Sequence, residues 1–139
     1  MRFMVLMYPS EKAETGAMPD PGLVEAMMKF NEDLAKAGVL LSLDGLHPTS
    51  KGARITFTDG KPVVTDGPFT ESREIIGGYW MIQVKSKEEA VEWCKRIPAR
   101  DARKVELRQV FEMADFPADV QKAADNPLVR ETVAKNARP

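Results

Sequence analysis

The chain has almost none of the residues that build disulfides or metal centres. It contains one cysteine, Cys94, and one histidine, His47. A single cysteine cannot form an internal disulfide, and an unpaired thiol is typical of the reducing cytoplasm, where we expect the protein to reside. One histidine and no clustered cysteines give none of the ligand spacings of a zinc site. The sequence therefore predicts neither a metal centre nor a bound cofactor.

The chain also lacks an excess of charge of one sign and any long hydrophobic run. It has 20 Lys and Arg against 21 Asp and Glu, a net charge of −1. Without a positive field, direct binding to nucleic acid is not expected. The apolar run that starts at Met1 ends at Pro9, shorter than the core of a signal peptide, and no stretch reaches the roughly 18 apolar residues of a membrane span. We expect no contact with a membrane.

The residues that are present follow the patterns of one small α+β domain. The chain has 139 residues and is 43% hydrophobic, which is enough for one core. Asp20-Pro21 opens a predicted helix that Gly38 closes, and a capping box from Ser86 to Glu89 opens a second helix that ends before Pro98. Apolar periodicity predicts strands at 2–8, 39–46, 53–58, 61–66, 75–84 and 103–111. We expect a loop at 9–19 and two short helical segments within 117–136, broken at Asn126-Pro127.

This order of elements predicts an antiparallel sheet with both helices on one face, and it leaves the apolar residues of the other face without cover. Asp59-Gly60 between two β-prone runs is a strong hairpin signal. Strands 2–8 and 75–84 are apolar on both faces, whereas helices on one side cover only one of them. The second face is therefore buried by another subunit or forms a wall of a ligand pocket. A twofold dimer that packs sheet on sheet is the simplest closed arrangement.

Two segments of the sequence resemble a known family. Residues 64–82, VTDGPFTESREIIGGYWMI, resemble the defining segment of the DGPF branch of the YCII-related family, and residues 105–112, VELRQVFE, resemble its closing strand. The resemblance covers roughly residues 1–116 and leaves 117–139 as a C-terminal helical extension. It implies a ferredoxin-like α+β sandwich that pairs into a dimeric α+β barrel.

The resemblance also carries two functional expectations. The wider YCII group looks like small enzymes with a His–Asp pair, and one branch resembles dehydrochlorinases, which implies a small-molecule-binding protein that acts by proton transfer. DGPF proteins are also associated with extracytoplasmic-function sigma factors, which implies the alternative of a non-catalytic regulatory module. Haem-binding relatives exist among dimeric α+β barrels, so an axial-ligand role for His47 is a further, weaker alternative.

Three side chains are candidates for proton transfer. His47 has the only side chain whose ordinary pKa lies near neutrality, and it sits at the end of a strand, where sites are often found; its alternative is an inert surface histidine. Asp66 is either an acid or base beside His47 or a turn-former before Gly-Pro. Glu71 lies further along the same loop and is otherwise a solvated charge. If the two carboxyl groups share a pocket, one is expected to have a raised pKa.

Six other residues are candidates for contact with a ligand. The loop 66–74 is predicted to form a pocket rim, the two tyrosines to line a cavity, and an arginine to hold an anionic substrate. Each has a structural alternative: a bulge or tight strand crossing for glycine, core or interface packing for tyrosine, and a solvated surface charge for arginine. The candidates are Tyr8, Arg54, Gly67, Pro68, Phe69 and Tyr79.

Overall fold

The computed structural model describes residues 1–70, 74–98 and 104–137. Its strands are β1 (Arg2–Tyr8), β2 (Leu40–Gly45), β3 (Ala53–Thr58), β4 (Lys61–Asp66), β5 (Gly78–Gln83) and β6 (Lys104–Gln109). Its helices are α1 (Glu11–Glu14), α2 (Pro21–Lys36), α3 (Lys87–Cys94), α4 (Ala118–Ala124) and α5 (Pro127–Asn136). Short 3-10 turns occupy Thr49–Lys51 and Met113–Asp115.

The strands form two separate sheets. Four of them make an antiparallel sheet in the order β2-β5-β1-β6, and β3 pairs only with β4. Without the β3–β4 hairpin, the chain runs strand, helix, strand, strand, helix, strand, which is the ferredoxin-like arrangement. The predicted α+β class and ferredoxin-like topology are therefore confirmed, with the hairpin inserted between β2 and β5.

The core lies between the sheet and helices α2 and α3. The side chains of Phe3, Val5 and Ile82 point from the central strands into this layer, where they are almost fully buried beside Leu34 of α2. Phe30 and Trp80 meet edge to face, with ring centroids 5.6 Å apart. Removing each large apolar side chain from water contributes about 1.5–3 kcal/mol. This layer therefore supplies most of the apolar burial that holds the helices to the sheet.

The two main helices begin where the sequence predicts. The Asp20 carboxylate accepts a hydrogen bond from the Leu23 amide at 3.1 Å, and α2 is followed by Gly38 at φ 72°. At α3, the Ser86 hydroxyl accepts from the Glu89 amide at 3.1 Å. The second half of the predicted capping box is shifted by one residue, because the Glu89 carboxylate accepts from the amide of Lys85 rather than that of Ser86.

Two local predictions were wrong. Residues 9–19 contain the short helix α1, which forms because the Ser10 hydroxyl caps its first turn by accepting from the Ala13 amide. The second strand does not alternate regularly, because its register against β5 shifts between Leu40 and Ser42. Leu40 and Leu43 consequently lie opposite Ile82 and Trp80, on the helix-facing side.

The second face of the sheet is partly covered. Met4, Leu6, Tyr79 and Met81 form its apolar centre and are half-buried, while charged residues such as Arg108 lie at its edges. The prediction that β1 and β5 carry apolar residues on both faces is therefore confirmed. What covers this face in solution stays a prediction.

The hairpin and the C-terminal helices are the most solvated parts. Asp59 and Gly60 both have positive φ, 51° and 75°, as the predicted two-residue turn requires. Every residue of β3 and β4 is exposed. Helices α4 and α5 occupy the predicted positions and contain no buried residue.

Candidate functional site

A cleft of about 160 Å³ lies at the end of the sheet, between α2 and strands β1, β2 and β5. Its apolar walls are the side chains of Met7, Met27, Leu43 and Trp80. Its polar side chain comes from Asn31, and the strand-end residues Asp44, Gly45, Gly77, Gly78 and Tyr79 complete the lining, with the side chains of Asp44 and Tyr79 directed to the other face of the sheet. Mostly apolar walls with a few fixed polar groups are the usual composition of a small-molecule site.

The inner polar group of the cleft is held in place by α2. Asn31 is buried, and its amide oxygen accepts a hydrogen bond from the Trp80 indole N–H at 2.8 Å. The Asn31 amide nitrogen faces the sulfur of Met28 at 3.6 Å, which is a weak acceptor. Asn31 therefore offers the cleft a polar side chain with a fixed orientation.

A wider, open groove of about 770 Å³ along α2 and β2 shares Asn31 and Leu43 with the cleft.

A hydrogen-bonded pair lies across β2 and β5 on the other face of the sheet. The Tyr79 hydroxyl donates to the Asp44 carboxylate at 2.8 Å, and the two residues are cross-strand partners. Because the hydroxyl hydrogen-bonds to an anion, the pKa of Tyr79 is raised above its usual value. Tyr79 therefore keeps its proton at neutral pH and holds the Asp44 carboxylate on the face opposite α2.

Close packing of backbone explains the Gly-Gly entry to β5. A Cβ on Gly78 would lie 2.9 Å from the carbonyl oxygen of Asp44, and a Cβ on Gly77 would lie 2.9 Å from the side chain of Pro9. The Gly77 amide donates to the Met7 carbonyl at 2.7 Å. The structural interpretation of this pair, a tight strand crossing, accounts for both glycines.

A second polar cluster joins the DGPF loop to α1, beyond the end of the sheet. The Glu14 carboxylate oxygen Oε1 accepts from the Thr49 amide at 2.7 Å and from the Thr49 hydroxyl at 2.6 Å. The Thr49 hydroxyl oxygen in turn accepts from the Phe69 amide at 3.0 Å. Thr49 thus links α1 to the loop through one hydroxyl group.

The remaining contacts of this cluster fix the loop further. The Gly67 amide donates to the Gly52 carbonyl at 3.0 Å, and a Cβ on Gly67 would overlap the carbonyl oxygen of Thr49. The Gly67-Pro68 peptide bond is cis. The Arg54 guanidinium lies 4.0 Å from the ring centroid of Phe69, in a cation–π contact.

The sequence-predicted residues are distributed over both places. Tyr79 lines the cleft, and Gly67 and Phe69 belong to the polar cluster with Arg54. His47 and Asp66 are exposed, and no described residue forms a hydrogen bond or ion pair with either side chain. Tyr8 is half-buried, with the Lys104 ammonium 4.4 Å above its ring. Pro68 is exposed, and Glu71 lies outside the described residues.

The sequence hypotheses missed three residues that the structure places at these sites. Asn31 lies among apolar helix positions, where a lone polar residue at helical spacing was the available signal. Asp44 lies within the strand predicted at 39–46, where no local pattern distinguishes it as a site residue. Glu14 had no signal, because it lies in a segment predicted to be a loop and its partner Thr49 is 35 residues away.

A comparison with protein families settles what kind of domain this is. The model of the YCII-related domain matches residues 1–114. This chain belongs to the YCII-related family. The matched residues include the sheet, the hairpin and helices α1 to α3, and the match ends before α4.

Individual relatives of this YCII-related protein are distant. An uncharacterized protein of Rhizobium meliloti (strain 1021) is 23% identical over 124 residues, which are 85% of this chain and all of that protein. A solved structure of 5-chloro-2-hydroxyhydroquinone dehydrochlorinase from Burkholderia phenoliruptrix AC1100, in complex with 2,5-dihydroxybenzoquinone, is 11% identical. The similarity covers 81% of this chain and 95% of that one, with a TM-score of 0.48.

Within residues 1–70, 74–98 and 104–137, no three His, Cys, Asp or Glu side chains come together as a metal site would require. In the same ranges, none of the helices has the length and apolar character needed to span a bilayer.

Proposed function

We propose that this YCII-related protein binds a small organic molecule in the cleft between α2 and the ends of β2 and β5. The observation that carries the proposal is the cleft itself, where the buried amide of Asn31 is set among apolar walls. Its volume of about 160 Å³ is below the ~300 Å³ at the lower end of common ligand sites. A matching ligand is therefore small and mostly apolar.

The polar groups also define what such a ligand offers in return. The Asn31 amide oxygen keeps one lone pair beside its bond to Trp80, and the amide nitrogen keeps one N–H beside its contact with Met28. A hydroxyl on an aromatic or alicyclic ring can hydrogen-bond to this amide while the ring contacts Met7, Leu43 and Trp80. Phenol is accordingly a suitable probe.

Gly45→Val tests the cleft with little disturbance of its walls. A Cβ on Gly45 would meet nothing within 4 Å, so the added isopropyl group enters open space at the cleft rather than a packed neighbour. We expect phenol to shift the amide resonances of cleft residues in the wild-type NMR spectrum, and the variant to weaken this binding at least tenfold.

Ser42→Val is the matched control, because it adds a valine to the same strand on the exposed, opposite side. It should bind phenol as the wild-type protein does. Equal binding by the Gly45→Val variant, or shifts confined to residues far from α2 and β5, would refute the cleft as the ligand site.

We propose that any catalysis consists of proton transfer by His47 or Asp66, with Glu71 as a further candidate. His47 follows the strand that carries Asp44 and Gly45, and the Leu46 amide before it donates to the Gly77 carbonyl at 2.9 Å. That bond ties the His47 segment to the cleft lining. On a substrate found by screening, His47→Ala and Asp66→Ala should each reduce kcat; unchanged turnover in the double variant would exclude both residues as the proton-transfer groups.

We further propose that the protein is a homodimer whose subunits pair through the second face of the sheet. Support comes from the half-buried apolar centre formed by Met4, Leu6, Tyr79 and Met81. A second copy would complete its burial, as sheet-on-sheet packing does in the dimeric α+β barrel.

A regulatory module that binds an extracytoplasmic-function sigma factor is the second candidate. One observation favours a protein partner: Leu128, Val129 and Val133 lie towards one side of α5 and are 57–75% exposed. Co-purification of such a sigma factor with the intact chain, and not with a chain that ends at Phe116, would support this role. Co-purification with neither chain would exclude α5 as its binding element.

A further inference from the structure

The β3–β4 hairpin has one apolar face and one polar face, and both are in water. Ile55 pairs with Val64 and Phe57 pairs with Pro62, so the four side chains share a face. The exposed fractions are 53% for Ile55, 73% for Phe57 and 63% for Val64. The opposite face carries Arg54, Thr56, Thr58, Lys61, Val63 and Thr65.

The rest of the chain does not support this hairpin beyond its base. Its two strands pack on each other, and no other described helix or strand makes more than marginal contact with either. Anchoring is confined to the base, where Gly67 bonds to Gly52 and Arg54 stacks on Phe69. An isolated two-stranded hairpin is marginally stable in water at best. The apolar face of the hairpin is therefore left without cover by the other described helices and strands.

The chain exposes more surface than a compact monomer of its mass, and the excess area is large enough for a subunit interface. The chain exposes 10380 Å², whereas a compact monomer of 15.5 kDa is expected to expose about 7200 Å². The excess is roughly 3000 Å². Obligate homodimers bury about 1000–2500 Å² on each subunit. The hairpin, the second sheet face and the C-terminal helices share this excess, which is enough for one such interface.

The charge distribution favours a second copy as the occupant. Within strands β3 and β4, the one ionisable group on this face is Asp66, which pairs with Ala53 at the exposed base of the hairpin, so the four apolar side chains can meet a second copy while Asp66 stays at the solvated rim. The basic residues Arg54 and Lys61 lie on the other face. A net charge of −1 per chain gives little repulsion between copies.

We infer that the apolar face of the β3–β4 hairpin, made by Ile55, Phe57, Pro62 and Val64, packs against a second copy of this chain. The inference rests on the proposed homodimer and adds a contact surface outside the four-stranded sheet. A twofold interface uses each residue twice, so one substitution on this face perturbs two contacts.

Paired substitutions on the two faces of the hairpin test the inference. Phe57→Glu and Val64→Lys place a charge on the apolar face, and the adjacent Thr56→Glu and Thr65→Lys place the same charges on the polar face. Sedimentation equilibrium over a range of protein concentrations gives the dimer dissociation constant of each variant. We expect each apolar-face variant to raise it about thirtyfold or more, as loss of a central interface contact does, and each control to leave it unchanged.

The outcomes separate this inference from the homodimer. If the dimer persists in both apolar-face variants, the hairpin contact is overturned and the homodimer still stands. The same conclusion follows if the polar-face controls dissociate as much as the apolar-face variants. A wild-type chain that sediments as a monomer at every concentration overturns both. Because the hairpin lies outside the core, far-UV circular dichroism of all four variants should match the wild type, which separates dissociation from unfolding.

Discussion

At the scale of single residues, Thr49 determines how the DGPF loop is held. Its hydroxyl donates to Glu14 and accepts from the Phe69 amide, so one side chain joins α1, a 3-10 turn and the loop. The second carboxylate oxygen of Glu14, Oε2, is buried and accepts no hydrogen bond from the described residues. Both bonds from Thr49 go to Oε1. One carboxylate oxygen therefore performs the structural role.

Glu14→Ala and Glu14→Gln should differ sharply for this reason. Alanine removes the acceptor of two partly buried donors, which costs about 1–3 kcal/mol. Glutamine keeps a carbonyl oxygen in the place of Oε1 and should change stability by less than about 0.5 kcal/mol, since Oε2 has no bond to lose. Urea denaturation measures both. Equal destabilisation by the two variants would show that the charge, and not the acceptor oxygen, holds the loop.

The DGPF loop and Glu14, which anchors it, show what local sequence patterns can and cannot predict. Asp66, Gly67 and Phe69 were identified because a turn before Gly-Pro has a local chemical signature. Glu14 was not, because its partners lie 35 residues away and a four-residue helix is too short to display periodicity. A pattern along the chain reports what a residue does to its neighbours, and a hydrogen bond between distant loops leaves no such pattern.

At the scale of elements, the helices and strands were largely predictable because capping and turn residues mark their ends in the sequence. Caps at Asp20 and Ser86 and the turn at Asp59-Gly60 are local hydrogen-bond and φ effects, and they survive in the fold. The bulge at Leu40–Ser42 was not predictable, since it depends on the register against β5. Regular alternation is the simplest interpretation of one strand, but pairing with its neighbour decides the outcome.

An ion pair between the start of β1 and the segment after β6 gives an element-scale prediction. Arg2 donates to both carboxylate oxygens of Glu112, at 2.7 and 3.1 Å. The hydrogen bond from Arg2 lowers the pKa of Glu112. A folded-state pKa below the unfolded one contributes stability above the unfolded value, and this contribution is lost as the pH falls through the folded value.

Glu112→Gln should therefore have a lower Tm than the wild type at pH 7, and the difference should shrink as the pH falls below about 4.3, the ordinary pKa of a glutamate, and through the lower folded-state pKa. Thermal unfolding followed by circular dichroism from pH 7 to pH 3 checks this. Glu131→Gln on α5, which has no ion pair among the described residues, controls for the loss of one negative charge. A Tm difference that does not depend on pH would contradict the assigned role of the pair.

At the scale of the whole molecule, one inserted hairpin separates the YCII-related sheet from the DGPF loop that identifies the family. The order of elements predicted an antiparallel sheet with both helices on one face, and the family resemblance implied its ferredoxin-like topology. The same order did not show that β3 and β4 form a sheet of their own. Their apolar residues alternate as in any half-buried strand, and the sequence does not say which surface those residues meet.

The C-terminal extension should be dispensable for folding of the sheet. Helices α4 and α5 contain no buried residue, and their ordering relies on local bonds such as the Asn126 cap on Val129 and the Gln121 amide donating to the Phe116 carbonyl. A chain truncated after Phe116 keeps the stacked Phe111–Phe116 pair, with centroids 4.8 Å apart, and loses no core residue. We expect its Tm to stay within about 4 °C of the full chain, a change worth less than about 1 kcal/mol. A larger fall in Tm at high protein concentration that disappears on dilution would place the extension in a subunit contact, because only a bound partner makes Tm depend on concentration. A fall in Tm at every concentration would mean that the helices stabilise their own domain.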